Sequence, residues 1–325
     1  MKRFIMLKPL ACTLCLMVAL SCNDNKSADP HATVAIGKID VMNGVLVFSD
    51  QQEFDNTLKE LTNKDSEVLN KWEAQLLGFR SMRNAYNSIT EQDMVKVGES
   101  KSLRGFDNCM TIIESNGEKE AVRIISSDAM ATLFNKDGVV VIGKDAYKYK
   151  FEKIVKVLEA NTLDIATLAS FDYKGLQSKV TELALVRVIR GQGISVKNGR
   201  PEGVTNDQCI NQYVSNRRLV GESNVTRTIG GSTFNSITCQ AKHQRRFAGI
   251  WWAESISRIK LSLTSALKNL DGQNVNVIPS SAERINDNNV SLDIGGCPCY
   301  GTIFYTADGD TGSGYKECSE SESAF

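Results

Sequence analysis

The sequence predicts an α+β protein, with a small helical-plus-hairpin N-terminal region followed by an antiparallel β-sandwich-like C-terminal domain. Three observations predict it. Apolar residues recur at helical spacing between residues 50 and 90, and short extended runs with turn signals follow from residue 109. From about Leu183 onward, seven or so short runs rich in Val, Ile and Thr alternate with Gly and Asn clusters. The expected organisation is a leader over 1–21, a flexible tether over 22–40, an α+β domain over 41–165, a β-rich domain over 175–318 and a tail over 319–325.

The chain opens "MKRFIMLKPLACTLCLMVALSC", with Lys2, Arg3 and Lys8 ahead of an apolar run from Leu10 to Leu20. Such a segment is a secretory leader, too short to span a bilayer. A cysteine directly after Ala19, Leu20 and Ser21 points to lipidation of Cys22, although Ala19 stands where Leu is usual. Acyl chains there would anchor the protein without a transmembrane helix. The expected location is therefore the cell envelope, as an outer-membrane lipoprotein whose membrane partner is reached through the N-terminal lipid. The next stretch, "NDNKSADPHATVAIGK", is polar and small and reads as a tether. Losing the first 21 residues removes Lys2, Arg3 and Lys8 from a balanced set of 38 basic and 38 acidic residues, leaving about three net negative charges. That balance argues against a nucleic-acid partner, which requires a basic face.

The first folded segment is the strand "GVLVF", Gly44 to Phe48, followed by a helix that Ser49 or Asp50 can cap, with Phe54, Leu58 and Leu61 on one face. A second helix starts at Asp65 or Ser66 and carries Val68, Leu69, Trp72 and Leu76 up to Gly78; Met82, Ala85, Tyr86 and Ile89 form a third. "TIIE" and "AVRIIS" read as strands around Asn116-Gly117, "SSDAMATLFN" as a capped helical turn, and "VVVIGKDAYKYK" as a hairpin around Gly143-Lys144-Asp145. "FEKIVKVLEA" is expected to close the region as a helix. In the C-terminal half, Ile259, Leu261 and Leu263 against Lys260, Ser262 and Thr264 mark a half-buried strand most clearly.

Six cysteines follow Cys22, and in an exported chain an even set suggests disulfides, with 15 possible pairings. The candidates are Cys209, Cys239, Cys297, Cys299 and Cys318, and one of Cys297 and Cys299 is expected to pair with Cys318 or Cys239.

The stretch "CQAKHQRRFAGIWWAE" gathers the candidate ligand-binding residues Lys242, Arg245, Arg246, Trp251 and Trp252. Guanidinium forks hold carboxylates or sulfates, and a tryptophan face stacks on a sugar ring. If Trp251 shares the phase of Ile259, Leu261 and Leu263, it is buried and Trp252 faces outward beside Glu254; either a turn near Ala248-Gly249 then resets Arg245, or Arg245 is buried and paired. The competing reading is an edge strand decorated with charge against aggregation. Cys239 and His243 are four apart and on one face, which would suit a nucleophile pair or two metal ligands, but the only other histidine after Cys22 is His31 in the tether. "DGDTGSG", Asp308 to Gly314, lacks the second aspartate loop of pepsin-like proteases and the end-position glutamate of a calcium loop, and reads as a hairpin. No metal, cofactor or catalytic residue set is expected.

The N-terminal pattern resembles a group of uncharacterised lipoproteins from gut Bacteroidetes. The residues carrying the resemblance are Phe54, Leu58, Trp72, Gly78 and Phe79, then Asn135, Gly138, Ile142, Gly143, Tyr147 and Tyr149, with "KHQRRFAGIWWA" in the C-terminal half. The resemblance implies location and architecture and carries no activity. The function expected is non-catalytic binding or adhesion at the envelope, to a glycan or acidic polymer. Alternatives are a structural subunit docking another envelope protein through an exposed Trp72 or Tyr86, and a glycan-acting hydrolase with two carboxylates in a cleft.

Overall fold

A computed structural model describes residues 39–100, 102–103, 105–115, 117–170, 174–190, 194–197, 200–202, 209–228, 234–269, 271–274, 281–295, 299–311 and 315–324. The leader, Cys22, His31 and Cys297 lie outside these residues, as do the side chains of Cys299 and Cys318.

The chain begins with β1 (Asp40–Met42) and β2 (Val45–Phe48), then α1 (Gln51–Leu61), α2 (Ser66–Ala74), α3 (Met82–Asn87) and α4 (Glu91–Ser100). A hairpin, β3 (Met110–Ser115) and β4 (Glu118–Arg123), leads to α5 (Asp128–Leu133), β5 (Val139–Ile142), β6 (Asp145–Tyr149), β7 (Lys153–Val157) and α6 (Thr162–Ala169). The rest is strand: β8 (Val180–Arg190), β9 (Ile194–Lys197), β10 (Arg200–Glu202), β11 (Cys209–Val214), β12 (Arg217–Thr228), β13 (Ser236–Phe247) and β14 (Ile250–Ala253). It ends with β15 (Ile256–Asn269), β16 (Ser281–Asp287), β17 (Asn289–Gly295), β18 (Cys299–Asp310) and β19 (Tyr315–Ala324). The protein is thus mixed α and β, with six α-helices among the described residues.

The helix starts follow local chemistry. Asp50, Asp65, Ser81 and Ser127 accept hydrogen bonds from backbone N–H groups three residues on, at 2.8 to 3.1 Å. Two capping boxes, Thr90 with Asp93 and Asn161 with Asp164, start α4 and α6. Neither of these two helices was expected from the apolar spacing.

"FEKIVKVLEA" is not a helix. Ile154, Val157 and Leu158 mimic a helical stripe, but Ile154, Val155 and Val157 are all fully buried in β7, which has β6 on one side and β8 on the other. A strand buried on both faces reads as a continuous apolar run, and β-branched residues favour it. The segment expected as a tail is likewise paired: β19 runs antiparallel to β18 as far as Ala324.

One long sheet runs β1-β2-β5-β6-β7-β8-β12-β13-β14-β4-β3, and β16-β15-β18-β19 form a second. The long sheet crosses the expected boundary near residue 170 twice, through β7 with β8 and through the parallel pairing of β14 with β4. Helices α1 to α5 cover one apolar cluster that includes Phe48, Phe54, Trp72, Phe134, Tyr149, Phe234 and Trp252. Ile165 and Leu168 of α6 fill the opposite side of β5, β6 and β7 with Val139, Val141 and Val155. A third cluster joins Leu219, Ile237, Cys239, Ala241 and Leu292 of the long sheet to Ile259, Leu261 and Leu263 of β15.

Candidate functional site

The hairpin β13–β14 turns at Ala248 and Gly249, with φ of 48° and 83°, so Arg246 stands opposite Trp251 and Arg245 opposite Trp252. The turn expected at Ala248-Gly249 is therefore present, and Arg245 and Arg246 lie on opposite faces of β13. Both tryptophans are buried, at 0% and 9% exposure. The outward Trp252 anticipated from strand alternation is a correction: α3 and α4 cover that face, and the Trp252 ring packs 6.1 Å from that of Tyr86. Alternation places two neighbours on opposite faces, but a sheet covered on both sides buries both.

Trp251 is flanked by guanidinium groups. Arg218 lies 4.2 Å and Arg246 5.8 Å from its ring centroid. Arg218, 4% exposed, donates to Glu120 at 2.9 Å, Glu118 at 3.1 Å and Gln244 at 2.7 Å. Lys242 donates to Glu120 at 2.7 Å and to Glu222 at 2.8 Å, and Gln244 also reaches Glu120 at 2.8 Å. Four strands, β4, β12, β13 and β14, thus contribute to one face whose buried charges cancel. Burial works against the Lys242 ammonium, but Glu120 and Glu222 outweigh it and hold its pKa above the ordinary value. Of the candidate ligand-binding residues, Lys242 and Trp251 are therefore internal members of this network. Beside it lies a small cavity of about 30 Å³, with Lys242, Glu222, Gln240, Asn289 and Tyr86 in its wall, room for water but not for a sugar.

The exposed part is an arginine rim at the same end of the sheet. The side chains of Arg217, Arg245 and Arg246 are 40%, 34% and 41% exposed. Arg217 and Arg245 are directly opposite each other across β12 and β13, an unfavourable like-charge pair that Glu254 bridges. Glu254 accepts both Arg217 bonds, at 2.7 and 3.0 Å, and lies 3.7 Å from Arg245, which also reaches Glu91 of α4 at 3.1 Å. Arg246 has a looser partner, Glu118 at 3.9 Å.

Cys239 and His243 do share a face of β13, but four residues of strand separate them by about 13 Å. His243 is 1% exposed; its Nδ1 lies 2.7 Å from the Glu254 carbonyl and its Nε2 2.5 Å from the Tyr213 hydroxyl. Burial pushes its pKa below the ordinary value, so the neutral ring donates to the carbonyl and accepts from Tyr213. Cys239 and Cys109 are buried thiols, and Cys209 is disulfide-bonded. This removes Cys239 from the two partners, Cys318 and Cys239, expected for one of Cys297 and Cys299. Asp308 of the "DGDTGSG" run lies inside β18, two residues before its end, in an ion pair with Arg258 at 3.0 Å.

A second buried ionic cluster was missed entirely from the sequence. Asp128 sits among Arg123, Arg284 and Arg83; burial opposes its charge, but the three guanidiniums outweigh it and hold its pKa well below the usual carboxylate range. Nearby, Asp293 accepts from Ser127 at 2.6 Å and Thr238 at 2.8 Å. Its backbone exchanges hydrogen bonds with the Asn63 side chain at 2.8 and 3.1 Å, joining the α1–α2 loop, the α5 cap, β13 and β17. Only the capping residue Ser127 carried a local signal.

With this geometry in place, comparison with known proteins gives little. No protein-family model and no curated protein matches the chain. The similarity found is to a DUF4848 family protein. Its crystal structure, from Bacteroides thetaiotaomicron, shares 14% identity over 87% of this chain and 99% of that chain, with a TM-score of 0.29. At that TM-score it carries neither a fold nor a site to this chain.

Proposed function

We propose that this is a non-catalytic binding protein of the cell envelope, held by a lipid on Cys22 and recognising a carboxylate- or sulfate-bearing glycan or other acidic polymer through the arginine rim. The observation that carries the reading is the placement of Arg246, exposed in part, over the buried Trp251 and beside the locked network of Arg218, Lys242, Glu120 and Glu222. A guanidinium on so rigid a base presents its donors at little entropic cost. Recognition would then use guanidinium forks and not aromatic stacking, because both tryptophans are internal. Trp72 and Tyr86 are buried too and supply no contact for docking another subunit through the helices. The C-terminal part serves in this reading as a sandwich-like scaffold, supported by the apolar cluster shared between β12, β13, β17 and β15.

A glycan array probed with the unlipidated chain from residue 23, beside Arg245→Ala and Arg246→Ala, tests the proposal. Binding to acidic glycans that falls at least tenfold in both variants supports it. Binding that neither substitution changes places the contact elsewhere.

A further inference from the structure

We infer that the end of the N-terminal sheet where the chain enters the fold rests against a lipid surface, with Leu158 and Leu163 as its contacts. This rests on the lipid anchor at Cys22 proposed above.

Strand register gathers the relevant residues. Asp40, at the start of β1, lies opposite Val47, and Val47 is level with Val141 of β5. Beyond Val141 the Gly143-Lys144 turn returns the chain, and the Gly143 N–H donates to the Phe48 carbonyl at 2.9 Å. The segment after β7 docks on that turn and on the residue before β8: Ala160 donates to the Lys144 carbonyl at 2.8 Å and Leu158 to that of Lys179 at 3.1 Å. The start of β1 and the end of β7 are therefore neighbours, and the first turn of α6 follows directly, with the Thr162 hydroxyl 3.9 Å from the Met42 sulfur of β1.

Leu163 is 74% exposed and Leu158 46%, two of the five large apolar residues most exposed among those described. Between Leu158 and the turn lies an open concavity of about 580 Å³ lined by Lys144, Asp145, Leu158, Glu159, Ser178 and Lys179. Its charge is largely consumed. Lys156 pairs with Asp145 and Lys179 with Asp164, each at 2.8 Å, and Lys144 faces the same hollow as Glu159. With no net positive field, attraction to anionic headgroups is not available here, and contact has to come from apolar insertion.

The tether says why a lipid surface is the occupant. From Cys22 to Ile39 the chain advances 17 residues, and a tether such as the sequence leads one to expect would have, at that length, a root-mean-square span of roughly 20–25 Å. The end that carries Ile39 is then the part of the fold held nearest to the bilayer, at an effective concentration where two leucines suffice for a second, weak contact. The other end of the β1–β2 hairpin offers a comparison. Leu77, 89% exposed, neighbours Gly78, whose carbonyl would lie 3.2 Å from a Cβ added at Gly44 in the turn between β1 and β2.

The test uses the full, lipidated chain reconstituted into phosphatidylcholine vesicles that carry brominated acyl chains. Leu163→Trp, Leu158→Trp and Leu77→Trp are compared for bromine quenching beyond that of the unmutated chain, whose three tryptophans are buried. All three sites are exposed and tolerate the larger ring. Flotation with the vesicles, and quenching at least twofold greater for Leu163→Trp and Leu158→Trp than for Leu77→Trp, is the expected result. Flotation with equal quenching at all three positions overturns the resting face and leaves the anchor standing. Failure to float overturns the anchor and this inference with it.

Discussion

The guanidinium of Arg218 lies 4.2 Å from the centre of the Trp251 ring and 2.9 Å from Glu120. One side chain therefore joins the ring on β14 to the carboxylate on β4 and, through Gln244, to β13. Removing it strands Glu120 without its guanidinium in a site 6% exposed. Arg218→Ala should destabilise the protein by about 3–5 kcal/mol. Trp251→Ala should cost a similar amount, about 3–5 kcal/mol, through the cavity left behind. Urea denaturation of both variants measures this, and a cost below 1 kcal/mol in either would show the pair to be peripheral.

Lys242 is the cation shared by Glu120 and Glu222. Lys242→Met alone should cost about 3–5 kcal/mol, because buried Glu222 loses its cation and Glu120 loses one of two. Combining it with Glu222→Gln, which leaves Arg218 paired with Glu120, should restore most of that loss. A double variant no more stable than the single one would contradict the account of charge balance.

Gly98 sets the distance between α4 and the β13–β14 turn. A Cβ there would sit 2.5 Å from the Cβ of Ala248, so Gly98→Ala has to push the helix away from the turn. The expected cost is about 1–3 kcal/mol. The displacement would also loosen Arg245 from Glu91 of α4. Ala248→Gly relieves both the crowding and the positive φ, and in the Gly98→Ala background it should recover stability. Thermal melts of the single and double variants decide the point.

Asp293 should make stability depend on pH in the acid range. Burial, with Asp128 nearby, raises its pKa from the ordinary 3.8 to about 6 despite two hydroxyl donors. The folded state thus binds the proton more tightly than the unfolded chain, and its stabilising effect is fully present below about pH 4 and lost as the pH rises from about 4 to about 6. At pH 7.5 the charged carboxylate is a burden. Asp293→Asn should then gain about 1–3 kcal/mol at that pH and show a flatter profile between pH 4 and 6. Identical pH profiles for the two proteins would remove this carboxylate from the account.

Lys148 gives the opposite test at the basic end. Its ammonium is 1% exposed and donates to the carbonyls of Ala169 and Ser170 at 3.2 and 3.1 Å, at the C-terminal end of α6. Burial lowers its pKa to about 8, so the folded state binds this proton less tightly than the unfolded chain. Stability should rise as the pH passes from about 8 toward 10.5, and Lys148→Met should lose that rise. The difference between the two melting profiles isolates Lys148 from other groups titrating there.

The sequence alone determined what depends on neighbours a few residues apart. Asp50, Asp65 and Ser127 announce helices because capping joins residues three apart, and Ile259, Leu261 and Leu263 announce a strand because alternation is local. The tertiary structure decided the rest. "FEKIVKVLEA" satisfies a helical period and a buried strand equally well, and only pairing with β6 and β8 selects the strand. Trp252 looked like a surface residue because its sequence cannot show α3 and α4 closing over it, and nothing local announced Arg218 over the inward Trp251. Lys242 and Glu120 stand 122 residues apart, yet their ion pair turns a run of charges into the inside of a sheet. A charged residue is written identically whether its partner is water or a distant carboxylate, and only the folded chain supplies the partner.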